Sequence, residues 1–220
     1  GFGAALATHF ASRGANVVIN YATTASTQLA EDLATKLSSA YNITALPVRA
    51  DLLDPSAPAL LVETAKAHFS KSGRFQIDIL VNNAAIVNAQ PIHELDLDLF
   101  QQTFDLNVRA PALLIKAAFP HLPTDRSGRI VNISSATTTW GLIQQTSYAG
   151  TKGAIEAMTR VWARELAERA TVNCVSPGPM DTGLLNGLPD APREALKMYQ
   201  ALIPLAKERP GVDTPEMLRL

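Results

Sequence analysis

Cysteine is almost absent: Cys174 stands alone among 220 residues. That excludes an intramolecular disulfide framework and suits a reducing compartment. A surplus of positive charge is missing too. The 19 basic and 20 acidic residues leave a net charge of -1, so no broad field recruits nucleic acid or anionic lipid. There is no long apolar run. The longest uncharged stretch, residues 130–151, is filled with Ser, Thr and Gln and does not read as a membrane span. His9, His68, His93 and His121 are scattered without ligand spacing, so no metal centre is expected. Internal repeats, low-complexity tracts and interdomain linkers are lacking, as is signal-peptide grammar. The chain opens on Gly1 rather than Met, which anticipates residues ahead of it. For the chain from Gly1 onward, cytoplasmic placement is the expectation.

What is present is an ordinary globular composition, 47% apolar and 18% charged, enough for one domain with a sizeable core. Short apolar runs alternate with helical patterns. Strands are expected at residues 17–19, 43–50, 77–81, 128–133 and 171–175. Helices are expected at 4–12, 28–37, 60–69, 98–119 (bent by Pro111), 148–169 and, weakly, 192–202. Gly14 is placed to close the first helix in left-handed geometry. The strands read as continuous apolar runs, as they do when both faces are covered. The fold class implied is α/β: a Rossmann-type doubly wound parallel sheet in three αβα layers, one domain over residues 1–220. A Pro-rich segment at about 179–204 reads as a substrate loop.

In such a sheet ligands bind beyond the carboxyl ends of the strands. The residues there are Asn20-Tyr21, Asp51, Asn82-Asn83-Ala84-Ala85, Ser134-Ser135 and Pro177-Gly178, polar or small in every case. Tyr148 and Lys152 stand four apart at a helix start and so share a face. A free phenol, with a pKa near ~10, is a poor base, and a nearby ammonium is expected to lower it. A shift of ~3 units needs roughly 4 kcal/mol. The pair would then exchange a proton with a carbonyl or hydroxyl oxygen. On that spacing alone a solvated helix face is the simpler reading. Ser135 strengthens the catalytic one, because the chain between it and Tyr148 can return the helix start to the strand end. Its hydroxyl there would stabilise developing charge. Ser134 and Ser135 should point in different directions. Asn107, among apolar neighbours, should face inward, either as a satisfied core amide or as the holder of a relay water. Gly1 and Gly3 open the first helix, where backbone can approach a pyrophosphate.

Together these residues resemble the classical short-chain dehydrogenase/reductase family. Gly1-Phe2-Gly3 resembles the end of its glycine-rich cofactor loop, Asn82-Asn83-Ala84-Ala85 its Asn-Asn-Ala-Gly motif, and Pro177-Gly178 with Thr182 its Pro-Gly-x-x-x-Thr segment. Asn107, Ser135, Tyr148 and Lys152 match its catalytic tetrad in order and spacing. The overall run is most similar to the 3-oxoacyl-carrier-protein reductase branch, fungal polyketide-type ketone reductases included. The resemblance implies a nicotinamide dinucleotide cofactor and oxidation or reduction at a secondary alcohol or ketone. Tyr148 would be the acid/base. Lys152 would bind the nicotinamide ribose and lower the tyrosine pKa. Ser135 would hold the substrate oxygen, and Asn107 would support the proton relay. Gly1, Phe2 and Gly3 would meet the pyrophosphate. Asp51, with Leu52 beside it, would contact the adenine, and Asn82 and Ala84 would line the cleft. Thr182 would approach the carboxamide, with Pro177 and Gly178 completing the set.

An acidic residue after the expected first strand would favour NAD(H). Asn20-Tyr21-Ala22-Thr23-Thr24 carries none, so NADP(H) is expected, with Arg13 as a candidate cation for the phosphate. The sequence also departs from the family pattern. The first strand, central in that sheet, and the last strand are not found, so the chain reads as truncated at both ends. This keeps open a second reading, a catalytically inactive binding or structural partner. The helices at 98–119 and 148–169 are the expected faces of a homodimer or homotetramer. Leu184, Leu185 and Leu188 would form an apolar lid, Trp140 either a pocket wall or a core plug, and Cys174 a packing residue.

Overall fold

A computed structural model describes residues 1–70 and 75–180. The expected helix at 192–202, Thr182 and the leucine lid lie outside these residues. Helix α1 (Phe2–Ser12) leads to strand β1 (Val17–Tyr21), α2 (Thr27–Tyr41), β2 (Ala45–Arg49) and α3 (Ala57–Phe69). Then come β3 (Ile79–Asn82), α4 (Leu97–Phe104), α5 (Ala110–Ala118), β4 (Gly128–Ile133), the short α6 (Thr137–Trp140), α7 (Thr146–Glu165) and β5 (Ala170–Val175). Gly14 does take positive φ, +84°. Asn42 closes α2 the same way at φ 52°, a tolerance its short polar side chain allows.

Among the described residues all strand pairs are parallel, in two separate sheets of order β1-β2 and β3-β4-β5. Two-residue alternation gives each strand two faces. On β2, Ala45 faces the cluster of Ala11, Val17 and Leu37 formed with α1 and α2. Its neighbours Leu46 and Val48 face the opposite cluster, which holds Leu61 and Val62 of α3, Leu114 of α5 and Leu80 of β3. That second cluster, not a hydrogen-bond ladder, joins the two sheets. Pro47 is tolerated because β2 pairs only with β1 among the described strands. Val18 on β1 and Ile79 on β3 are exposed. The third cluster packs Ile130 and Val172 under Leu166 and Trp162 of α7, which seats α7 across β4 and β5.

The long helix expected at 98–119 is interrupted, but not as anticipated. Between α4 and α5, residues Asp105–Arg109 form a π-turn, with the Ala110 N–H reaching back to the Asp105 carbonyl. Pro111 sits in the first turn of α5, where its fixed φ is welcome. It has no N–H to give the Asn107 carbonyl four residues back. The proline therefore shifts the hydrogen-bond register ahead of itself, and the irregularity falls at Asn107.

Candidate active site and its relatives

The Ser135 hydroxyl lies near enough to the Tyr148 phenol to lower its pKa, and the Lys152 Nζ lies 5.5 Å from the centre of the tyrosine ring. These three residues meet because β4 delivers Ser135 at its carboxyl end while α7 presents Tyr148 and Lys152 one turn apart. Ser135 Oγ donates to Thr137 Oγ1 at 3.1 Å and accepts from the Thr137 N–H at 3.3 Å. Ser134 points elsewhere, donating to Glu156 Oε1 at 2.7 Å. Tyr148 and Lys152 are both buried.

The electrostatics depart from the expectation of an acidic phenol. Burial raises the Tyr148 pKa above its ordinary value, and the nearby Ser135 hydroxyl only partly offsets it. The same burial lowers the Lys152 pKa to about 8. Desolvation disfavours both charged forms. Lys152 donates to the Ile133 carbonyl at 2.7 Å, so its proton is held by backbone at the end of β4. At neutral pH the arrangement is a neutral phenol above a mostly protonated amine.

Asn107 faces inward and is buried, as expected. Its carboxamide clamps Ile86, accepting from the backbone N–H and donating to the carbonyl at 2.9 Å each. It also donates to Thr151 Oγ1 at 3.1 Å. Thr151 in turn donates to the Tyr148 carbonyl at 2.7 Å. The side chain is thus a brace between the strand-end loop and the first turn of α7.

The residues expected around a dinucleotide divide into two groups. The N-terminus of α1 carries no side-chain cap and no acid in its first turn, and nothing lies within 4 Å of a Cβ built on Gly1. Free N–H groups with a positive dipole end suit a phosphate, so these residues fit the group. Phe2, Tyr21, Pro177 and Gly178 are half-buried, and Asp51 and Ala84 are exposed at the strand ends. Other members are turned away. A Cβ on Gly3 would come within 2.9 Å of the Asn83 carboxamide, so Gly3 makes room for Asn83. Asn20 donates to the Ala50 carbonyl at 2.9 Å, stitching β1 to the end of β2. Asn82 donates to Asn132 Oδ1 at 2.7 Å, sideways across the sheet. Leu52 is a core residue, which leaves only its backbone to face a ligand. A polar residue at a strand end can serve its neighbouring strand as well as a ligand, and for Asn20 and Asn82 the neighbouring strand takes the amide.

Arg13 is exposed at the carboxyl end of α1, before β1 begins, so a strand's length of roughly 16 Å separates it from the loop after Tyr21. The cation at that loop is Arg49, the register partner of Tyr21, whose Nη1 donates to Thr24 Oγ1 at 2.7 Å. No local pattern flagged it, since it ends a different strand. Arg109 was also not anticipated. Its guanidinium pairs with Asp105 at 2.6 Å and donates to the Leu53 carbonyl at 2.6 Å, tying the π-turn to the loop that carries Asp51.

Comparison with known proteins shows the family. A family model described as enoyl-(acyl carrier protein) reductase matches residues 1–213. An L-xylo-3-hexulose reductase of Hypocrea jecorina is 45% identical, across 81% of this chain and 63% of that protein. An L-xylulose reductase of Aspergillus niger is 39% identical, across 99% of this chain and 76% of that protein. The chain therefore spans between about two thirds and three quarters of these relatives. A blue fluorescent protein from a metagenomic library, solved in complex with NADPH, superimposes with a TM-score of 0.77 at 38% identity, covering 84% of this chain and 72% of that one. With a doubly wound α/β fold, a strand-end serine on a buried tyrosine and lysine, and a match over nearly its whole length, the chain belongs to the short-chain dehydrogenase/reductase family.

Proposed function

We propose that the protein reduces a ketone to a secondary alcohol with NADP(H), Tyr148 serving as the acid. The observation that carries this reading is the buried, neutral Tyr148 phenol with the Ser135 hydroxyl beside it. A bound nicotinamide supplies hydride. Ser135 holds the substrate oxygen by hydrogen bonding as charge gathers on it, and Tyr148 donates its proton to that oxygen. Lys152 stabilises the phenolate left behind, and the Ile133 carbonyl fixes its ammonium beneath the ring. Because burial keeps the phenol protonated, the site is poised for reduction; oxidation needs the phenolate. Asn107 positions Tyr148 through Thr151.

NADPH is the favoured cofactor: no carboxylate follows β1, the solved relative named above carries NADPH, and Arg49 stands beside Thr24 to meet a 2′-phosphate. Arg49→Glu should weaken NADPH binding roughly 10- to 100-fold, the worth of a charged hydrogen bond, with NADH affinity nearly unchanged. Fluorescence titration with both cofactors measures this, and equal effects on the two would remove Arg49 from the role.

For the substrate, the relatives named for L-xylulose and L-xylo-3-hexulose support a small polyhydroxylated ketone. NADPH consumption with L-xylulose, compared with an aromatic ketone, tests this; no turnover of any ketone would defeat the whole reading. Reductase names among the relatives, with Asn107, Ser135, Tyr148 and Lys152 all present, leave the inactive-partner alternative unsupported. No helix among the described residues is long and apolar enough to cross a membrane, and the scarcity of cysteine favours the cytoplasm. Exposed Leu97, Leu99 and Phe119, on or just after α4 and α5, together with Val161 on α7, are the surface we assign to self-association. Gel filtration with light scattering reads the oligomer.

A further inference from the structure

One helical turn beyond Lys152, on the face it shares with Tyr148, stands Glu156. A single oxygen of its carboxylate, Oε1, accepts from Ser134 at 2.7 Å, Thr138 at 3.0 Å and Ser176 at 3.3 Å. The donors come from three different places: the end of β4, the short helix α6, and the segment after β5. Each is tied to a functional position. Ser134 is the residue before Ser135. Thr138 has one hydroxyl proton and a second acceptor, the Ser135 carbonyl, also at 3.0 Å. Ser176 precedes Pro177, whose carbonyl accepts from the Ala136 N–H at 2.9 Å. We infer that Glu156 is a positioning residue, gathering the Ser135 turn and the Ser176-Pro177-Gly178 segment onto α7 so that the Ser135 hydroxyl meets the Tyr148 phenol.

The physical need is plain. Ser135 lies in a turn with no strand partner of its own, and a hydrogen bond that acts on a developing charge must be held within a fraction of an ångström. A carboxylate binds hydroxyl donors about twice as strongly as a neutral acceptor. One carboxylate fastening three donors fixes the turn against α7. The arrangement is also accessible. Glu156 lines an open groove of about 440 Å³ with Thr138, Cys174 and Ser176, so a small carboxylate can reach its place when the side chain is cut back.

This inference rests on the reading that Ser135 and Tyr148 carry the reaction. Glu156→Ala should lower kcat roughly 10- to 100-fold, with KM for the ketone changed less. Glu156→Gln, which keeps an acceptor oxygen, should stay within about threefold of the unaltered chain. Formate added to the alanine variant should return part of the lost rate. Amide hydrogen exchange at residues 134–138 and 176–178 should quicken in the alanine variant and not in the glutamine one. Unaltered kcat in Glu156→Ala overturns the inference. So does a loss that formate does not mend and that follows thermal stability alone. If no ketone is turned over by the unaltered chain, the catalytic reading fails. The exchange data then still decide whether Glu156 holds the turn, and unchanged exchange overturns it.

Discussion

Tyr148→Phe should cut turnover by on the order of 10³-fold, within the usual range for removing a general acid. NADPH binding should change little. The phenylalanine ring fills the same buried space but has no proton for the developing alkoxide. The comparison needs two measurements on the same sample: steady-state reduction of a ketone and cofactor titration by fluorescence. Loss of both together would mean that the ring holds the cleft open. Retained turnover would mean that another group delivers the proton.

The second large effect runs in opposite directions for activity and stability. Lys152 carries a buried ammonium whose pKa falls from 10.5 to about 8 on folding, with burial as the leading cause. The unfolded chain therefore binds more protons between those two values, and stability rises with pH across that window. Below about pH 8 the folded state bears the whole cost of the buried charge, about 3 kcal/mol. Lys152→Met removes that cost and loses the bond to the Ile133 carbonyl, worth about 1 kcal/mol. The variant should melt a few degrees higher at pH 7 and lose most of its turnover. Its advantage should shrink as pH climbs toward 10.5. Thermal unfolding of both proteins across that range settles it, and an advantage that grows with pH would refute the account. A stability gain coupled to lost activity is the usual signature of a residue kept for chemistry.

Which parts of this site could be read without the fold depends on how far the signal travels along the chain. The Tyr148–Lys152 spacing is one helical turn, and the alternation of Ser134 and Ser135 is one strand step. Both depend on immediate neighbours, and both were legible. The π-turn at Asp105–Arg109 was half-legible. Pro111 signalled an irregularity, but that Asn107 within it clamps Ile86, twenty-one residues away, was not written in the local sequence. Asn20 and Asn82 illustrate the opposite failure. Each stands at a strand end, where a ligand is expected, yet each spends its amide on the adjoining strand, bonding Ala50 and Asn132. A strand end offers a polar side chain two partners, and sequence position does not say which one it takes.

The chain alone determined the order of helices and strands, the parallel α/β class, and the serine, tyrosine and lysine that meet, because periodicity and turn chemistry act over a few residues. Only the folded arrangement decided the rest. It brought Arg49 to Thr24 and three hydroxyls to Glu156 across separations of 18 to 25 residues. It left the strands as two sheets joined through a hydrophobic cluster. It also reversed the sign expected for Tyr148, because the cost of burying a charge is set by how much water the surrounding elements exclude, and no local stretch of sequence encodes that.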